Sequence, residues 1–403
     1  MSTREWLSMR CLPGLEILAI VGLFVLLAGL ALINDGSRYA TQVNLMVFLP
    51  AVLLIVISKA WVAVTGRPAF WVLCLLLGWV FVCAWLNGTG SDVAYWFKRC
   101  LQILVFVLLV SFLSERSRWF EWGLIAAVGS AMFCAWLSLI HTYWFLGYPW
   151  AYREYRLESS GIAGFADFGN AIVAALYYGA MAVLALGLAY KIPMKFRVVW
   201  YFGALGLCVA VFMTYSRGVW VALAIGAFSY WALSLPNRLF SLLLGATGAG
   251  TLLSVIISPD AMAKVFLNLT HREEIWQYAV KSVEERWLVG LGPEAAFSAC
   301  IDQLNHCFNQ AHSLYLQTVF EFGMLGLLLL LALPITLLKG VWPVSTDPKV
   351  RLALPLLAFA LVAGVASYHT VLSRPGLVWI YFWLPIGILL GVNRRRAAEG
   401  KRV

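Results

Sequence analysis

The sequence predicts an all-α, polytopic integral membrane protein, and three observations predict it. Of 403 residues, 62% are hydrophobic and only 12% charged, about half the charged share of a soluble domain. Apolar runs of about 20 residues, the length that crosses a bilayer, recur from residue 14 to residue 392. The 19 tryptophans and 16 tyrosines suit the aromatic belts of membrane–water interfaces. A formal charge of +10 would point to nucleic acid in a soluble protein. Here the positive-inside rule accounts for most of it, so membrane lipids are expected partners and nucleic acid is not.

Runs and breaks give about twelve spans, at 14–33, 43–63, 69–87, 96–113, 119–143, 166–190, 195–213, 217–235, 238–257, 312–338, 350–370 and 376–392. The first meets "NDGSRY" instead of a cleavage site, so it reads as a retained helix and not a signal peptide. With the N-terminus in the cytoplasm, the alternate connections and the tail "RRRAAEGKRV" carry 18 of the 29 basic residues. That imbalance puts both termini inside. The chain divides into a bundle of nine spans (1–257), a large outer loop (258–311), and three further spans with a basic cytoplasmic tail (312–403).

The outer loop is the one long hydrophilic region. Within 271–287, "HREEIWQYAVKSVEERW", the apolar Ile275, Trp276, Ala279, Val280, Val283 and Trp287 share one helical face, which predicts an amphipathic helix lying on the membrane or capping the bundle. "GLGP" at 290–293 then forces a turn. Cys300 and Cys307 lie in this polar loop, and an oxidising compartment would allow a disulfide between them. Neither CxxC spacing nor a paired-carboxylate arrangement is present, and no metal site is expected.

The outer basic residues are mostly arginine, which binds phosphate bidentately and sheds water more readily than lysine. Each one alone has a plain reading as an interfacial side chain reaching lipid headgroups. Three positions resist it. In "MTYSRGVW" Ser216 is a candidate cap, placing Arg217 in a first helical turn. In "LTHREEIW" Thr270 and Glu273 form a capping box, placing Arg272 likewise. In "NQAHSLYLQTVFEFGMLG" Asn309 is a candidate cap and His312 falls near the third helical position. Helix N-termini attract phosphate, so these three would form an anion site with a titratable group beside it if they converge. His141, His271, His306 and His369 have no comparable context.

With those segments in view, the chain resembles the O-antigen ligase family, within the wider group of O-antigen ligases, polymerases and protein O-oligosaccharyltransferases. The likeness rests on "TYSRGVWVAL" (214–223), "HREEIW…GLGPEAAF" (271–297) and "AHSLYLQTVFEFGMLGL" (311–327), in that order. The resemblance implies a GT-C-like membrane glycosyltransferase of the bacterial inner membrane, its active site facing the periplasm. Such an enzyme needs no cofactor or metal and moves an O-antigen glycan from undecaprenyl diphosphate onto lipid A–core oligosaccharide. It implies Arg217, Arg272 and His312 as the catalytic residues; Arg153, Arg156 and Arg286, outer arginines of the same sequence, are further candidates for substrate contacts. An O-antigen polymerase, a protein O-oligosaccharyltransferase and, from another class, a transporter of lipid-linked sugars stay open. The scarcity of charge at mid-span depth argues against the last.

Overall fold

A computed structural model describes residues 12–88, 90–150, 154–233, 270–301 and 306–392. The expected ninth span at 238–257, Arg153 and the basic tail lie outside these residues, as do the side chains of Thr270, His271 and His306.

The chain is mostly helical. The principal helices are α1 (Leu12–Leu32), α2 (Gly36–Ser58), α3 (Pro68–Asn87), α4 (Gly90–Arg116) and α5 (Phe120–Phe145). They continue as α6 (Ala171–Leu188), α7 (Arg197–Met213), α8 (Arg217–Leu233), α9 (Thr270–Ser282), α10 (Leu314–Val341), α11 (Pro348–Ala363) and α12 (Trp379–Gly391). Eight helices among the described residues are long and apolar enough to cross a membrane. Helices α11 and α12 occupy expected spans with fewer than the 20 or so residues that usually cross a membrane, and α8 is described as far as Leu233.

Boundaries moved where polar side chains captured backbone. The second span begins at Gly36 and not at 43, because Asp35 accepts hydrogen bonds from the backbone N–H of Ser37 and Arg38 and starts the helix early. The sixth begins at Ala171 and not at 166, with Asn170 accepting from Ile172. The residues before it form an antiparallel hairpin, β1 (Ser159–Ile162) with β2 (Phe165–Asp167). A second hairpin joins β3 (Ala299–Ile301) to β4 (His306–Phe308), so the chain is not wholly α. Opposed in its register are Cys300 and Cys307, which are joined by a disulfide.

Helix α6 is buried along nearly its whole length and forms the centre of the bundle. Its small residues permit this, since close helix packing in lipid depends on them. Gly179 lies against Phe359, and Gly187 against the backbone of Leu352, both of α11. At the end of the bundle away from the outer loop, Lys191 pairs with Glu121 at 2.7 Å and Lys349 with Glu115 at 2.7 Å.

Helix α10 is interrupted at Gly323, whose φ of 66° and ψ of −171° are not helical. The freed backbone groups are not left in hydrocarbon, where they would be costly. The segment Trp287–Gly292 lies in the break: Leu291 N–H donates to Phe320 O and Gly292 N–H to Glu321 O, at 2.8 and 2.9 Å. In return Met324 N–H donates to Trp287 O at 2.8 Å. From α3, Trp79 Nε1 donates to Phe322 O at 2.9 Å. The "GLGP" turn thus inserts into a membrane helix and ties the outer loop to the bundle.

Candidate active site

Helix α8 follows a tight turn in which Tyr215 has φ 53°, a left-handed conformation unusual for a residue with a side chain. The turn is held from the 154–157 strand of loop. Arg156 Nε donates to Thr214 O at 2.9 Å, its Nη2 to Ser216 Oγ at 3.3 Å, and Leu157 N–H to Met213 O at 3.0 Å. Ser216 directs its hydroxyl toward Ala171 O. Arg217 stands at the first residue of α8, half-buried. Arg156, expected as a substrate contact, therefore also braces the turn that presents Arg217.

Arg272 lies in the first turn of α9. Ile275, Ala279 and Val283 are buried with Phe297, Ala299, Ile301, Ala311 and Phe320 in a small core separate from the main bundle. The helix stops at Ser282 rather than 287, so Trp287 loses the helical phase that would have turned it inward; it is exposed, as is Val280. This helix packs on the outer end of α10, the capping arrangement that was one of the two its amphipathic spacing allowed.

His312 is not in a helix. The cap of α10 is Ser313, in extended conformation, and His312 precedes it with φ 52°. The expected start at Asn309 fails because the backbone ahead of Leu314 is claimed by other groups. Gln317 Oε1 accepts from Ala311 N–H at 2.8 Å, Trp276 Nε1 donates to Ala311 O at 3.1 Å, and Leu314 N–H donates to Gly364 O at 2.7 Å. Phe308 of the disulfide-closed hairpin sets its ring edge-on to the imidazole, centroids 5.9 Å apart.

These three turns come together. Burial, and then the charge of Arg217, lowers the pKa of Arg272, which stays cationic. Burial, and then Arg272, lowers that of His312, favouring the neutral imidazole. Among the described residues the site therefore holds two half-buried cations with no ion-pair partner, beside a histidine biased toward its neutral form. No cluster of three or more metal-ligating side chains occurs among the described residues.

Arg286 is exposed and donates to Asn87 Oδ1 at 3.2 Å, at the end of α3. His369, set aside on sequence, does reach the site: burial, and then His312, pushes its pKa down to about 4. The segment carrying it, after α11, folds back over the N-terminus of α8, where a Cβ added to Gly218 would stand 2.8 Å from Ser367 Oγ. No local pattern marks His369, because its context comes from residues 50 or more positions away.

Residues 202–331 match a protein family described as O-antigen ligase. Over 398 residues, covering 94% of this chain and 92% of the other, the chain is 26% identical to the O-antigen ligase of Pseudomonas aeruginosa. The matched segment holds Arg217, Arg272 and His312, whose turns the structure gathers. In that segment, and along nearly its full length, the chain is similar to the O-antigen ligases.

Proposed function

We propose that the protein is a membrane glycosyltransferase that moves an O-antigen glycan from undecaprenyl diphosphate to lipid A–core at the periplasmic face of the bacterial inner membrane. The observation that carries this reading is the convergence of Arg217, Arg272 and His312 from α8, α9 and the turn before α10. The diphosphate of the donor binds the two guanidinium groups. The acceptor hydroxyl gives its proton to the neutral imidazole of His312 while its oxygen attacks the anomeric carbon. The bond from that carbon to the diphosphate oxygen breaks, with inversion, and the electron pair leaves with the lipid diphosphate, whose added negative charge the arginines stabilise. No strong general acid is required, since a diphosphate is a good leaving group.

Purified protein in lipid, given a lipid-diphosphate glycan and lipid A–core with EDTA present, tests this. Glycan arriving on lipid A–core, and lost in His312→Ala, is the expected result. Longer glycan on the lipid diphosphate would make the chain a polymerase, and neither product would overturn glycosyl transfer to or between lipids.

A further inference from the structure

We infer that Trp276 and Gln317 are positioning residues for His312, holding its turn in the one conformation that points the imidazole at the site. The inference rests on the reading of His312 as the base. A left-handed φ at a residue with a side chain is unfavourable and persists only where the surroundings over-determine it. Here both polar groups of the preceding residue are held by side chains from two different elements. The carbonyl of Ala311 accepts from Trp276 Nε1 at 3.1 Å, and its N–H donates to Gln317 Oε1 at 2.8 Å. Ala311 is fully buried, so water cannot replace either partner.

The orientation of the Gln317 amide is fixed at its other end, where Nε2 donates to Glu321 Oε1 at 2.8 Å. That leaves the oxygen for Ala311, and the reverse orientation would set the Nε2 donor against the Ala311 N–H donor. Trp276 follows Arg272 by four residues on α9, on the same face. The indole hydrogen bond therefore ties the helix that carries Arg272 directly to the turn that carries His312. Neither polar atom is needed to fill space. Phenylalanine at 276 keeps an aromatic ring and methionine at 317 keeps the length, while both delete the hydrogen bond to Ala311.

Trp276→Phe, Gln317→Met and His312→Ala, each in the full-length protein in lipid, are compared for kcat, for KM of the lipid-diphosphate donor and lipid A–core, and for thermal unfolding. A base moved by a fraction of an ångström to an ångström loses roughly tenfold to a hundredfold in rate. The expected result is that loss in kcat per folded molecule for both clamp variants, with each KM within about twofold of the parent. A modest fall in melting temperature is expected from the unsatisfied Ala311 backbone, the protein remaining folded at the assay temperature. If His312→Ala is inactive but the clamp variants keep their kcat, the positioning role is wrong and the base assignment stands. If His312→Ala stays active, the base assignment fails and the positioning role goes with it. Activity that falls only in proportion to the fraction of protein unfolded, with kcat per folded molecule unchanged, would make the two side chains structural supports only.

Discussion

At the scale of single residues, the site holds two guanidinium groups that form no ion pair among the described residues. Arginine at 217 offers a planar fork, whereas lysine offers a hydrated point charge. Arg217→Lys is expected to lower kcat/KM at least tenfold, about 1.4 kcal/mol, despite the retained charge; transfer assays at varied donor concentration check this. The electrostatics also fix a pH dependence. Because burial and Arg272 lower the pKa of His312 in the free protein from 6.5, the acid limb of kcat/KM should lie below pH 6.5. Arg272→Gln removes the positive charge that disfavours imidazolium, so the limb in its residual activity should move up toward 6.5. A limb that stays put or moves down would mean that the titrating group is not His312. His369, held neutral by burial and by His312, remains unprotonated across this range.

Among the elements, the broken helix α10 carries the design. Its first part presents the site, and its break receives the segment Trp287–Gly292, so that the outer loop cannot drift from the bundle. Gly323 is at φ 66°, and any Cβ there would collide with the backbone of Leu288. Gly323→Ala should destabilise the protein by about 2 kcal/mol or more, seen as a lower melting temperature in detergent and faster proteolysis of the 270–301 segment. The sequence made much of this element legible and misplaced part of it. The apolar run announced a span, "GLGP" announced a turn, and the capping residues put Arg217 and Arg272 at helix starts. The true start of α10 was hidden because what stops the helix at Ser313 is a tryptophan from α9, a glutamine one turn on and a carbonyl from the segment after α11. Likewise the amphipathic spacing of α9 left open whether it lies on the membrane or caps the bundle, since spacing shows that a face is apolar and not what covers it.

For the whole molecule, alternation of helices places the turns at 214–217, 270–313 and 364–373 at one end and the pairs Lys191–Glu121 and Lys349–Glu115 at the other. With the positive-inside rule, the first end faces the periplasm in our proposal. Alkaline phosphatase fused within 270–301 should then be active, and fused near Ser345 inactive; the reverse pattern would invert the topology.

Composition and run length by themselves determined that this chain lives in a membrane, because hydrocarbon admits only long apolar helices and the charge bias of their connections follows from that. Residue types at helix starts determined that phosphate recognition was in prospect. Only the tertiary structure decided that the three turns meet, that Arg156 braces one of them, and that His369 joins them. It also set His312 in a left-handed turn ahead of its helix. Those facts depend on hydrogen bonds between residues dozens of positions apart, and a backbone conformation imposed from outside leaves no trace in local spacing.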